Sequence, residues 1–183
     1  MQKRRNVKTK IVASLITFMM FFTNFATLGS ALVSYAADDS SDAINKFDWT
    51  KATDSENSPV SCQTVEYAKG LIALRKSTDA FRLGSNASAK LNVKLIPVPE
   101  IKEEDLAIAY SCRSPQHDEN YYMFANCDTV KRKFTLNNLD LTKGIVIVDG
   151  KTAGTTKIAD PVGVSLTSGS IELDPLTFVI IKM

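Results

Sequence analysis

Hydrophobic positions follow three successive patterns along this chain. Residues 11–37 form 27 uncharged residues in a row, strongly apolar from Leu15 to Phe22 and diluted afterwards by Asn24, Thr27, Gly29 and Ser30. After a polar stretch to Asn57, interrupted by Ile44, Phe47 and Trp49, the apolar spacing becomes helical. Val60, Thr64, Tyr67, Leu71 and Leu74 make one stripe, with Val65, Ala68 and Ile72 beside it. Ser58-Pro59 supplies an N-cap residue followed by proline at the first helical position, so the helix is predicted over Pro59–Ser77. Its apolar face is wider than the ~100° stripe of a surface helix, so neighbours are expected on more than one side.

From Leu91 to the end the period is two. Strands are predicted at Asn92–Pro97, Leu106–Cys112, Tyr121–Asn126, Arg132–Leu136, Ile145–Val148, Val164–Thr167, Ser170–Leu173 and Thr177–Lys182. Ser114-Pro115, Asn137-Asn138, Asp149-Gly150, Asp160-Pro161 and Ser168-Gly169 punctuate them as turns. The fold class expected is therefore mainly β: an antiparallel β-sandwich preceded by one amphipathic helix and an N-terminal hydrophobic signal helix. In the last strand Phe178 and Ile180 share one face and Val179 and Ile181 the other, which suits a central strand covered on both sides.

Charge sharpens the reading of the first segment. Lys3, Arg4, Arg5, Lys8 and Lys10 precede the apolar run, and no acid occurs before Asp38. Ser34-Tyr35-Ala36 places small residues at −3 and −1 of a cut between Ala36 and Ala37, so residues 1–36 read as a secretory signal peptide and the product as secreted. An uncleaved membrane anchor is the alternative, since the stretch is long enough to span a bilayer. The leader takes five of the 22 basic residues, leaving 17 against 20 acidic and a net charge of −3, without the basic face a nucleic-acid binder needs. Three regions are expected: the leader 1–36, a segment 37–84 carrying the helix, and a β-sandwich domain 85–183.

Candidate chemistry is sparse. Cys62, Cys112 and Cys127 make an odd number, and a hairpin turn centred near Gln116 would set Cys112 opposite Asn120 and Cys127 opposite Asp105, too far apart to bridge. All three are read as small buried hydrophobes. No metal-ligand spacing occurs, His117 sits alone in a polar loop, and neither metal nor cofactor is expected. The acids Asp38, Asp39, Asp42, Asp48 and the run Glu103-Glu104-Asp105 read as solvated charge. Lys131-Arg132-Lys133 reads as a solvated strand edge. Asn86-Ala87-Ser88 matches a glycosylation sequon at a frequency chance explains. Tyr110, Tyr121, Tyr122 and Phe124 offer ring faces for sugars, but one face of their hairpin must be core.

The run from Val65 to Ser77, ending in Ala80-Phe81-Arg82-Leu83-Gly84, resembles the last barrel helix of pullulanases, debranching enzymes of the α-amylase superfamily. Asp42–Trp49 resembles the segment ahead of that helix. Asp105–Tyr110, Tyr121–Asn126 and Leu173-Asp174-Pro175-Leu176-Thr177 resemble the β-sandwich that closes those enzymes. The resemblance implies a truncated member of an α-1,6-glucosidase family. It keeps the closing domain and the end of the (β/α)8 barrel, but not the blocks that carry the catalytic carboxylates. No catalytic residue is therefore assigned. The resemblance places Asp48 and Trp49 on a loop near the catalytic face, which makes them the two candidates for substrate contact. Two alternatives stand beside this reading. One is a small carbohydrate-binding module using the hairpin tyrosines or Trp49; the other is a hydrolase completed by a barrel encoded elsewhere. The partners expected are α-glucan and a second copy of the chain, through the exposed helix face.

Overall fold

The computed structural model describes residues 48–102 and 104–183. The leader, its Ala36–Ala37 cut, Asp38, Asp39, Asp42 and Glu103 lie outside the described residues. No helix among the described residues is long and apolar enough to cross a membrane.

Helix α1 spans Pro59–Ser77 as predicted, with Pro59 in the first turn and Arg75 and Lys76 in the last, but the Ser58 side chain makes no capping hydrogen bond. A second helix was not expected: α2, Asn86–Asn92, opens where the Ser85 side chain accepts the Ser88 N–H and ends at the extended, β-branched Val93. A short 3-10 turn at Trp49–Ala52 precedes α1. The strands are β1 (Val93–Leu95), β2 (Ala107–Arg113), β3 (Asn120–Asn126), β4 (Arg132–Thr135), β5 (Ile145–Val148), β6 (Val164–Thr167), β7 (Ser170–Leu173) and β8 (Thr177–Lys182). All eight expected strands are present; only β1 is much shorter than the expected Asn92–Pro97, losing Asn92 to α2 and ending before Ile96.

The strands form two antiparallel sheets, ordered β1-β2-β3-β8-β5 and β4-β7-β6. Between them lies a core of Ala109, Phe124, Phe134, Leu141, Val146, Ile171, Leu173, Val179 and Ile181, in which the Phe124 and Phe134 rings meet edge to face at 5.6 Å. Strand β8 sits between β3 and β5, and Val179, Ile180 and Ile181 are all buried, so the chain end is central as its two-sided pattern predicts. The β2–β3 register corrects the expected pairing by one residue: Cys112 faces Tyr121, and the Cys127 N–H reaches the Leu106 carbonyl. The turn is the six residues 114–119, tied by Ser114 N–H to the Glu119 carbonyl, rather than one centred on Gln116.

The outer face of the larger sheet is also covered. Tyr110, Met123, Ile180 and Val148 pair across four strands and are buried, and Phe81, just past α1, stacks on Tyr121 at 4.9 Å. Helix α1 docks at three points. The Tyr67 hydroxyl donates to the Asp149 carbonyl at 3.0 Å, Gly70 lies against Ala153, and Leu74 is buried. Leu74 is the sole buried residue of α1, while Val60 is 75% and Ile72 53% exposed. The stripe is thus wider than this unit can cover. Its N-terminal part, Val60 and Thr64, is exposed where a groove parts the helix from the β-strand loops.

Candidate functional site

The two residues singled out for substrate contact lie together, ahead of α1. Asp48 is exposed, and Trp49 opens the 3-10 turn with 76% of its surface in solvent. The turn leans on the helix, with the Cys62 Sγ donating to the Lys51 carbonyl at 3.5 Å. A large exposed indole is chemically able to stack on a sugar ring.

The described acids do other work. Asp149 is buried, and both carboxylate oxygens are spent on loop amides: Oδ1 accepts Lys151 N–H (2.8 Å) and Thr152 N–H (2.6 Å), and Oδ2 accepts Val162 N–H (2.7 Å). It ties the β5–β6 loop shut. Asp105, expected to be solvated with Glu104, instead pairs with Arg132 at 2.9 Å, and Asp128 pairs with the same guanidinium. Lys131 stays exposed beside β4, an edge strand as expected, and reaches Asp174 at 3.0 Å and Glu172 at 3.4 Å.

Hydrogen bonds hold five carboxyls below the usual carboxylate range: Asp54 by the Asn57 amide, Glu100 by the Thr135 hydroxyl, Glu119 by Lys182, Asp128 by Arg132 and Asp140 by Thr142. A glycosidase general acid needs the opposite displacement, upward into the neutral range. Among the described residues no cluster of three or more His, Cys, Asp or Glu is placed to hold a metal ion.

The hairpin aromatics do not form a sugar platform. Tyr110, Tyr121 and Phe124 are buried and Tyr122 is half-buried against the core. This removes the surface on which the hairpin version of a carbohydrate-binding module depends. The cysteines separate into three environments, correcting the expectation that all are buried: Cys112 is buried, Cys62 half-buried and Cys127 exposed, and all three are free thiols. Burial pushes the Cys112 thiol up to about 12, far from the thiolate form. Alkylation of the native protein is therefore expected to modify Cys127 first and Cys112 only after denaturation. Peptide mass spectrometry over a time course checks the order, and early labelling of Cys112 would contradict it.

One feature had no signal in the sequence. A groove of about 320 Å³ is lined by Gln63, Thr64, Tyr67, Gly150, Lys151, Leu176 and Phe178. Its walls come from α1, the β5–β6 loop, the β7–β8 turn and the start of β8, segments remote from one another in sequence, and no local motif marks their convergence.

The family model described as SpuA C-terminal matches residues 92–183. Pullulanase A of Streptococcus pneumoniae serotype 2 is 43% identical over 150 residues, covering 79% of this chain. The chain spans only 12% of that relative's length. Among solved structures, the Group B Streptococcus pullulanase SAP superposes with a TM-score of 0.75 at 45% identity, covering 79% of this chain and 19% of that one. The catalytic module of the multi-modular glycogen-degrading pneumococcal virulence factor SpuA gives 0.73 at 42% identity, covering 79% of this chain and 21% of that one. These matches reach well beyond residues 92–183, so they take in more of the described chain than its sandwich. The chain belongs to the SpuA C-terminal family, the C-terminal domain of pullulanases.

Proposed function

We propose that residues 49–183 serve as the non-catalytic closing domain of a pullulanase-type enzyme acting on α-1,6-branched glucan, and that α1 is the seam between this domain and a catalytic barrel. The observation that carries the proposal is the half-covered helix. One edge of α1 docks through Tyr67, Gly70 and Leu74, while Ile72 stands 53% exposed on a different side. An apolar residue of this size left in water forgoes about 1.5–3 kcal/mol, which a second partner would recover. The engaged carboxylates support the same reading, since a domain with this role needs no chemistry of its own. Asp48 and Trp49 would then stand at the edge of the assembled cleft. A structure of the Group B streptococcal relative holds maltotetraose, which supports α-glucan as the polymer the assembled protein meets.

Export belongs to the same proposal. The basic, apolar and small-residue order of 1–36 supports cleavage after Ala36 and a secreted product of 147 residues starting at Ala37. A chain without a barrel partner would pair through its exposed helix face, so its sedimenting mass is expected to double with concentration and Ile72→Glu to keep it monomeric.

A chimaera tests the closing role. Replacing the matching C-terminal segment of pneumococcal Pullulanase A with this chain's counterpart is expected to leave a folded protein that keeps pullulan-hydrolysing activity. Ile72→Glu in the chimaera should lower its melting temperature. A chimaera that folds but is unaffected by Ile72→Glu would show that the helix face is not the seam.

A further inference from the structure

We infer that the groove between α1 and the β7–β8 turn is a binding site for a short segment of α-glucan. The inference rests on the proposed role beside a glucan-degrading barrel. The groove itself is carried by the backbone of this chain.

Leu176 is the starting point. It is 75% exposed and sits at the groove rim with φ +53°. The left-handed region is costly for a branched side chain, and a turn with no other duty would use Gly or Asn there. An exposed leucine gains nothing from burial in return. Its neighbours hold it in place: the Leu176 N–H donates to the Asp128 carbonyl, and the Thr177 hydroxyl to the Pro175 carbonyl. Strain retained at an exposed apolar residue marks a contact made with something else.

The lining then selects the ligand class. An anion would look for free backbone amides, but those at this wall are spent. Gly150 N–H donates to the Val162 carbonyl and Lys151 N–H to the Asp149 carboxylate. The Tyr67 hydroxyl is likewise committed to the Asp149 carbonyl, which leaves its ring as an apolar wall. A guest meets the Tyr67 and Phe178 rings, the Leu176 side chain, and the exposed polar side chains of Gln63, Thr64 and Lys151. Apolar ring faces with neutral and cationic donors at the rim suit a neutral polyol whose sugar rings have one apolar face. The volume, about 320 Å³, matches the lower end of small-ligand sites and so a short oligosaccharide segment rather than a folded partner.

Leu176→Gly makes the test clean, because it removes the rim contact while relieving the positive φ, so the fold should not suffer. Calorimetry and amide NMR on the full chain with maltotetraose are expected to show millimolar binding, with shifts at Thr64, Gly150, Lys151 and Leu176. Cellotetraose, of different linkage, should bind more weakly. Leu176→Gly should weaken maltotetraose roughly three- to tenfold, as loss of one apolar contact implies, without lowering the melting temperature. Gln63→Ala should weaken it as well. No shifts at saturating sugar, shifts confined to other residues, equal binding of both sugars, or unchanged affinity in Leu176→Gly would each overturn the site. Shifts at these residues on concentrating the protein without sugar would assign the groove to a second copy and also overturn it. None of these failures touches the chimaera, whose activity decides the closing role separately.

Discussion

Gly70→Ala is expected to detach α1 while leaving the two sheets folded. A Cβ at Gly70 would lie 1.9 Å from the Ala153 carbonyl oxygen and 2.5 Å from its carbon, so the obstacle is backbone. Ala153 cannot retreat freely, because it bridges to Val148 and the next residue's N–H donates to the Ile147 carbonyl at 3.0 Å. The helix must move instead. Moving it breaks the Tyr67–Asp149 hydrogen bond, worth about 1 kcal/mol, and unburies Leu74, worth about 1.5–3 kcal/mol. In a free helix the same substitution is stabilising by about 1 kcal/mol, so the sign alone is diagnostic. Amide hydrogen exchange should show fast exchange along 59–77 in the variant and retained protection in β3 and β8. A more stable variant with a protected helix would mean that α1 does not rest on Ala153.

Removing Thr177–Met183 should have the largest effect of all, abolishing cooperative unfolding. Strand β8 pairs with β3 over six residues and with β5 on its other side. It contributes Val179, Ile180 and Ile181 to covered faces. Three such burials are worth roughly 5–9 kcal/mol, comparable with the 5–15 kcal/mol total of an ordinary domain. The deletion also opens both neighbouring strands at once. Calorimetry of the shortened chain is expected to show a broad, weak transition; a single sharp melt would place β8 at the periphery.

What could be read from residues alone followed from local rules. The helix is legible from end to end because Pro59 suits its first turn and the apolar spacing holds from Val60 to Leu74. The strands were legible because alternation and turn residues bound each of them. Facing-side pairings were not. The β2–β3 register missed by one residue because it depends on how the loop between Arg113 and Asn120 closes, and Ser114 bonds across it to Glu119 rather than turning tightly at Gln116. Helix α2 was missed because seven residues carry too little periodicity to reveal themselves, and its Ser85 cap looked like loop. Ion pairs between residues distant in sequence leave no local signal: Asp105 reads as solvated because its partner Arg132 is 27 positions away. Cys127 passed for buried because its side of the hairpin end cannot be known without the sheet order. For the site, Trp49 and Asp48 came from resemblance alone. The groove needed three remote segments and a leucine's φ, neither of which a sequence displays.

On the proposed closing role, the described domain supports hydrolysis by a barrel without carrying it out. The measurement that meets it most directly is reducing-sugar release from pullulan by the purified chain alone, at high protein concentration and across pH 4–8. Release no greater than buffer is expected: Glu119 and Asp128 are held below the usual carboxylate range by Lys182 and Arg132, Asp105 pairs with Arg132, and Asp149 is spent on loop amides. Release that rises in proportion to protein and disappears on substitution of a single acid, Asp48→Asn foremost, would contradict it.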